Sequence, residues 1–423
     1  MTRLRGLLAA SVCAFVSWAG PVAADAVTDW NEITMTAVAA GRPGPVGSLD
    51  TALVQIAVHD AVQAIERRFE PYHMEVRGAK GSRSAAVAAA AHDVLVGMYP
   101  AQAATLDATY HNYLANNGLT DDPGLTVGQK VAAGILPLRR LAPEPLPPPF
   151  MGGTDAGVWR PTDSFQGTPP APAPHSPMVA PWMSAADPFT LTSPKRFRPE
   201  PPPALSSERY RRDYDEVKAL GALLNSSRTP AQTDLAYFYN DNIFAQWNRA
   251  LRTLSTKHID RIGDTARLFA LANIATADAV IASWDSKKHY AFWRPLTAIR
   301  EGDNDPNAQT VGDANWQPLV NTPNYPDYTS GANNVTAAMT RTLAMFFGRD
   351  RMIFEVTSLA PNVEKKVRHY ERFSDAARDV VDARVYLGIH FRFADEAART
   401  QGDRVAEWTF KHFLLPVEEQ RRN

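Results

Sequence analysis

Cysteine is almost absent from this chain of 423 residues, in which Cys13 is the single example. One cysteine cannot form an intramolecular disulfide or supply a thiolate metal site. We therefore expect neither of them in the protein. An acylated lipoprotein cysteine is the alternative use of Cys13, but the apolar residues that continue after it argue against cleavage there.

The first residues form a pattern of their own. Arg3 and Arg5 give a basic start, and an apolar run follows over residues 6–19. Small residues then precede Asp25. This order is typical of a secretion signal, and the run is shorter than the roughly 20 residues that span a bilayer. We therefore predict a signal peptide at 1–24 and an exported protein, in the periplasm or outside the cell.

A strong net charge is also missing, since the formal charge is -1 at pH 7. Lys and Arg are scattered and form no basic face of the kind that nucleic-acid binding requires. After the predicted signal, no apolar run suggests a membrane span. We expect no nucleic-acid partner, no stable membrane insertion and a soluble small-molecule substrate.

Strand signals are scarce, whereas apolar residues recur at three- and four-residue spacings. The pattern is helical from Thr28 to about Leu141, returns at Ser206 and is strongest over residues 264–283. A mature chain of about 400 residues exceeds the usual size of a single core. We predict an all-α fold with two helical bundles.

A proline-rich stretch separates the two helical regions. Residues 143–203 hold 18 of the chain's 33 prolines, and proline interrupts regular structure. Because Trp159, Trp182 and Phe189 are spread through this stretch, we expect much of it to lie against the protein; a disordered linker is the alternative. The predicted divisions are an N-terminal helical subdomain at 25–142, a connector at 143–205 and a C-terminal helical domain at 206–417.

His59 and Asp60 lie among the core-facing apolar residues of the first helical region. The pair could be functional. A histidine in such surroundings is more often a structural group with a hydrogen-bond partner, so we predict a structural role.

Two cations near the end of the strongest helical pattern are candidate ligands for an anion. Lys287 and Arg294 are seven residues apart, which places both on one helical face until Pro295 biases the chain out of the helix. Taken by itself, this spacing is more typical of a solvated surface face, because surface helices often carry Lys and Arg at that spacing.

Thr329-Ser330-Gly331 follows a stretch unsuited to helix and precedes a new apolar period, so we predict a helix start near Asn333. Free amides and the positive end of the helix dipole make such a start a suitable anion site. An ordinary serine cap is the simpler interpretation of Ser330.

Arg384 and His390 are six residues apart, which is not one helical face. The two side chains can reach one ligand only if the helix stops between them. Gly388 supplies a plausible helix end.

In this order and spacing, the three motifs resemble the signature shared by type 2 phosphatidic acid phosphatases, bacterial class A acid phosphatases and vanadium-dependent haloperoxidases. That signature is Lys, six residues, Arg-Pro; then Pro-Ser-Gly-His; then Ser-Arg, five residues, His. The resemblance covers roughly residues 280–400. The N-terminal Asp-Trp and Ala-Val-His-Asp-Ala segments look like the haloperoxidase-related bacterial branch.

The resemblance implies one catalytic oxyanion site in the C-terminal domain. Three cations would neutralise the oxyanion, while a serine hydroxyl and a glycine amide would hydrogen-bond it. His390 would attack phosphorus in a phosphatase or bond the vanadium of vanadate in a haloperoxidase. The implied site residues are Lys287, Arg294, Ser330, Gly331, Arg384 and His390.

The sequence departs from the signature at three positions. Thr329 replaces a proline and Ala383 replaces a serine, but neither of those residues carries charge. Ala332 stands where the family has its acid–base histidine, and alanine cannot transfer a proton. The local candidates to replace that histidine are His289, Tyr325, Asp327 and Asn333.

Asp395, five residues after His390, has two interpretations. It is a candidate to orient the histidine ring. Its position before a helical pattern at 396–413 is equally typical of an N-cap.

Three functions follow from the resemblance. The first is a vanadate-dependent peroxidase that oxidises halide with hydrogen peroxide. The second is a soluble phosphohydrolase that acts on a phosphate ester through a phosphohistidine at His390 and needs no cofactor. The third is a non-catalytic phosphate- or vanadate-binding protein, because Ala332 has replaced the acid–base histidine. The halide preference, the organic substrate and the oligomeric state do not follow from the sequence.

Overall fold

The computed structural model describes residues 25–42, 44–139, 141–162 and 176–417. Helices dominate this part of the chain, so the predicted all-α class is confirmed, with one small β-hairpin added. The predicted signal peptide and Cys13 lie outside the described residues.

Five α-helices lie in the described part of the N-terminal region, and polar caps define where two of them begin. The Asp25 side chain accepts hydrogen bonds from the first amides of the first helix, and Ser82 does the same for the third. The helices are α1 (Ala26–Gly41), α2 (Pro45–Glu66), α3 (Arg83–Met98), α4 (Ala103–Asn116) and α5 (Gly124–Ile135).

The C-terminal region holds eight helices among the described residues. They are α6 (Glu208–Leu220), α7 (Pro230–Phe238), α8 (Ile243–His258), α9 (Ile262–Tyr290), α10 (Pro295–Arg300), α11 (Gly331–Phe346), α12 (Phe373–Tyr386) and α13 (Arg392–His412). Between α11 and α12, β1 (Arg351–Thr357) and β2 (Val367–Arg372) pair as an antiparallel hairpin.

Helix α9 is the central element of the fold. Its residues from Gly263 to Lys287 are buried except Asp264, because α2, α11 and α13 all pack against it. By length and hydropathy α9 resembles a membrane span, but its apolar window is entirely buried within the protein. Complete burial of this kind is the pattern of a core helix.

One apolar core extends through both helical regions. The same buried cluster includes Leu53 of α2, Leu271 of α9 and Met339 of α11. His59 is part of this interior, where its Nε2 lies 3.0 Å from the Glu70 carbonyl oxygen. Burial lowers the pKa of His59 to about 4, which agrees with the structural role predicted for it.

The described parts of the connector lie against the helices. Trp159 and Met183 are buried, and the Trp159 amide donates to the Ala291 carbonyl at 2.6 Å. On α9, the buried Asp278 carboxylate accepts the amides of Phe189 at 2.6 Å and Thr190 at 2.7 Å. The connector is therefore packed structure over these residues, as the dispersed aromatic residues predict.

Candidate oxyanion site

Lys287 projects from the last turns of α9 into the interior. Its side chain is fully buried, and Nζ donates to the carbonyl oxygens of Pro326 at 2.7 Å and Asp327 at 3.1 Å. The ammonium group also lies 4.9 Å from the centre of the Tyr325 ring. Lys287 therefore anchors the loop that leads to α11.

Arg294 reaches the same place by a different route from the one predicted. Helix α9 ends at Tyr290, and Ala291 adopts a left-handed conformation with φ of 45°. Arg294 is therefore the N-cap residue of α10 and does not share a helical face with Lys287. Its Nε donates to the Tyr325 carbonyl at 2.8 Å.

Ser330 and Gly331 form the start of α11. Ser330 is the N-cap residue and the helix begins at Gly331, two residues before the predicted start. The Ser330 amide donates to the Ala394 carbonyl at 3.2 Å, which ties this start to the beginning of α13. The amides that open α11 have no partner within the helix and can donate to a ligand.

Arg384 and His390 flank a helix end, as their spacing requires. Helix α12 ends at Tyr386, and Gly388 has φ of 78°. A Cβ atom at Gly388 would lie 2.5 Å from the Gly221 carbonyl oxygen, so this close approach requires glycine. The chain then reverses, which brings His390 back towards the Arg384 guanidinium.

His390 is paired with a carboxylate. Its Nδ1 lies 2.7 Å from Asp327 Oδ1, and both side chains are buried. The Arg294 Nη1 atom is 3.1 Å from His390 Nε2 and 3.6 Å from Asp327 Oδ1. The sequence predicts Asp327 only as a replacement acid, whereas its place three residues before Ser330 is the available signal for a site residue.

Asp395 has neither of its two predicted roles. It lies in the first turn of α13, whose N-cap residue is Phe391. Its Oδ1 accepts a hydrogen bond from Asn333 Nδ2 at 2.7 Å, so it supports the start of α11. The helix begins four residues earlier than predicted, and this displaces Asp395 from the cap position.

Burial and the three cations set the ionisation of the cluster. The pKa of Lys287 lies well below its ordinary value because of burial and the nearby Arg294. Burial raises the pKa of Asp327 to about 7, although Arg294 and Lys287 oppose this shift. Burial and the cations hold the pKa of His390 well below its usual range, so the imidazole is neutral at neutral pH.

Two arginine donors in this cluster fit an oxyanion. Arg294 Nη2 and Arg384 Nε are buried and have no hydrogen-bond partner in the described part of the chain. Leaving a buried donor unpaired costs roughly 1–3 kcal/mol, and more for a charged group. A tetrahedral oxyanion such as vanadate or phosphate would supply the acceptor oxygens, so the residues present fit such a group.

The C-terminal region also matches a known family. Residues 267–419 match the family model of the VCPO second helical-bundle domain, and this range contains all six residues of the predicted site. This match supports the superfamily of vanadium haloperoxidases and type 2 phosphatidic acid phosphatases. The suspected family is thus confirmed.

A curated relative from this superfamily is the vanadium chloroperoxidase of Curvularia inaequalis. The two sequences are 26% identical over 287 residues, which covers 52% of this chain and 46% of the relative. The matched region is therefore about half the length of that protein.

Solved structures of the superfamily share the fold over almost the whole chain. A bacterial vanadium-dependent iodoperoxidase superposes with a TM-score of 0.75 at 23% identity, covering 93% of this chain and 96% of that chain. The apo form of a bacterial vanadium-dependent chloroperoxidase gives 0.72 at 16% identity, covering 93% and 98%. At these identities the likeness establishes the fold.

Proposed function

We propose that this protein is a vanadate-dependent peroxidase that oxidises halide with hydrogen peroxide. The observation that carries the proposal is the buried cluster of Lys287, Arg294 and Arg384 with two unpaired arginine donors. Membership of a superfamily whose matched relatives are vanadium haloperoxidases supports it.

Each residue of the cluster has a defined task in this proposal. The three cations hold the negative charge of the oxyanion. The Ser330 hydroxyl and the Gly331 amide donate hydrogen bonds to it. His390 supplies an imidazole nitrogen to the vanadium, and bound vanadate would supply the Lewis-acidic centre that activates hydrogen peroxide.

The Asp327–His390 pair prepares the histidine for this task. The Asp327 carboxylate, 2.7 Å from Nδ1, favours the tautomer that carries its proton on Nδ1. The Nε2 lone pair, which Arg294 Nη1 approaches at 3.1 Å, would then be the one that bonds vanadium once Arg294 turns to the oxyanion. The low pKa of His390 keeps that lone pair free of a proton at neutral pH. The cationic surroundings therefore favour a ligating imidazole over an imidazolium.

The deciding experiment is a paired assay of the purified full-length protein. Bromide-dependent halogenation of a dye with hydrogen peroxide is measured with and without orthovanadate, alongside hydrolysis of a phosphate ester. We expect halogenation that appears only with vanadate. Ester hydrolysis that vanadate inhibits would instead assign a phosphohydrolase, and tight vanadate binding without turnover would assign a binding protein.

Two histidine variants identify the site in the same assay. His390→Ala should lower vanadate affinity and turnover by more than about 100-fold, because it removes the ligating nitrogen. The matched control is His289→Ala, since His289 is exposed on the surface of α9 and should not change either quantity. Equal activity in the two variants would contradict the site assignment.

A further inference from the structure

The oxyanion site lacks the donor that the superfamily signature places after Ser-Gly. Ala332 occupies that position in the first turn of α11, where it is half-buried. A methyl group cannot donate a hydrogen bond to a bound oxyanion. Any replacement donor must come from another part of the fold.

Three of the four candidates to replace this donor are excluded, one because it faces solvent and two because they have other polar partners. His289 is exposed on the surface of α9. The Asn333 side-chain amide donates to Asp395 at 2.7 Å. Asp327 is paired with His390 at 2.7 Å. Tyr325 is the candidate that remains.

The Tyr325 ring is fixed against two of the site cations. Lys287 Nζ lies 4.9 Å from the ring centre, and the Arg294 guanidinium carbon lies 4.8 Å from it. The Tyr325 carbonyl accepts from Arg294 Nε at 2.8 Å, and the ring packs on Trp284 with centres 5.1 Å apart. Backbone and ring are thus both held at the site.

The Tyr325 ring lies against the cationic cluster. Tyr325 is half-buried, whereas Lys287 and Arg294, which its ring contacts, are fully buried. Burial lowers the pKa of the Arg384 guanidinium, and the electrostatic influence of Tyr325 opposes this shift. Among the described residues no acceptor is found for the phenol proton.

From this arrangement we infer that the Tyr325 hydroxyl donates a hydrogen bond to the bound oxyanion and replaces the donor lost at Ala332. The inference rests on the proposed function, because it needs an oxyanion in the site. A phenol donates one proton, and a hydrogen bond from an O–H group to a charged oxygen is among the stronger hydrogen bonds. Tyr325 would therefore be a catalytic residue that touches the anion directly.

The test is Tyr325→Phe, which removes the hydroxyl and keeps a ring for the cation contacts. Binding of orthovanadate and of inorganic phosphate is measured by calorimetry, and halogenation turnover is measured with vanadate. Loss of one charge-assisted hydrogen bond should lower the affinity for each oxyanion by about tenfold or more. Turnover should also fall by at least about tenfold.

Tyr328→Phe is the matched control from the same loop. The Tyr328 hydroxyl donates to the Glu200 carbonyl at 2.7 Å, on the outer side of the structure. Its loss should leave oxyanion affinity within about twofold of the wild type. Melting temperatures of both variants verify that the fold is retained.

A second variant tests whether positions 325 and 332 serve the same anion. Tyr325→Phe combined with Ala332→His returns a donor to the superfamily position and should recover much of the lost affinity. A combined variant no better than Tyr325→Phe would contradict a shared role. Wild-type affinity and turnover in Tyr325→Phe would overturn the inference while leaving the proposed function intact. Failure of the wild type to bind either oxyanion would overturn both.

Discussion

Several charged residues are buried here close to one another. The Asp327 carboxylate lies between His390 and Arg294, at 2.7 Å from the ring Nδ1 atom and 3.6 Å from the guanidinium. Removing one member of such a group leaves an uncompensated buried charge, which is strongly destabilising. His59 is buried without a charged partner, so a positive charge on its ring would be uncompensated and the ring stays neutral in the folded state.

His59 predicts a pH dependence of stability. Its pKa is lowered from 6.5 to about 4 by burial, so the unfolded chain binds the additional proton between these values. The contribution of neutral His59 to the free energy of unfolding is fully present above pH 6.5, the ordinary pKa. As the pH falls towards 4, this contribution is lost, by roughly 3 kcal/mol in total. His59→Gln should flatten the fall in the free energy of unfolding over this range, measured by urea denaturation. A variant that keeps the wild-type fall in the free energy of unfolding over this pH range would show that His59 is not the titrating group.

At the scale of elements, the connector is attached to α9 by one buried carboxylate. Asp278 accepts the amides of Phe189, Thr190 and Leu191, and it also accepts the Thr190 hydroxyl at 2.6 Å. A stretch rich in proline has few backbone donors to pair within itself, so a side chain of α9 pairs them instead.

Asp278→Ala should release this attachment. It leaves several buried donors without an acceptor, and the free energy of unfolding should fall by about 3 kcal/mol or more. The control is Asp264→Ala, also on α9, which removes an ion pair with Arg68 whose side chain is 35% exposed. That change should cost about 1 kcal/mol. Equal losses in urea denaturation would contradict the special role of Asp278.

The helical pattern and the order of the three motifs follow directly from the sequence, because apolar period and motif spacing are local properties. Gly388 predicts the helix end before His390 for the same reason. The end of α9 is not predictable in this way, since the Lys287–Arg294 spacing also suits a continuous helix. The Asp327–His390 pair joins residues 63 positions apart, and only tertiary structure determines it.

At the scale of the whole molecule, the two helical regions share one core. Leu53, Leu271 and Met339 belong to the same buried cluster, and Gln63 of α2 donates to the Gly263 carbonyl at the start of α9. An interface that is continuous with the core couples the stability of the two regions.

This coupling predicts that the protein unfolds in one step. Calorimetry should give a single transition whose calorimetric enthalpy equals the van't Hoff enthalpy. The isolated fragment 25–142 should lack stable structure by circular dichroism, because α2 loses the surface that α9 covers. Two separate transitions, or a cooperatively folded fragment, would contradict the shared core.

The packing of α2 on α9 also imposes an order on synthesis. Their contact joins Gln63 and Gly263, which are 200 residues apart in the chain. A ribosome that adds roughly 5–20 residues per second needs about 10–40 s to synthesise that length. Throughout that interval the apolar surface of α2 has no partner from α9. A chaperone that binds apolar helices would therefore meet its longest-lived target in the N-terminal third of the nascent chain.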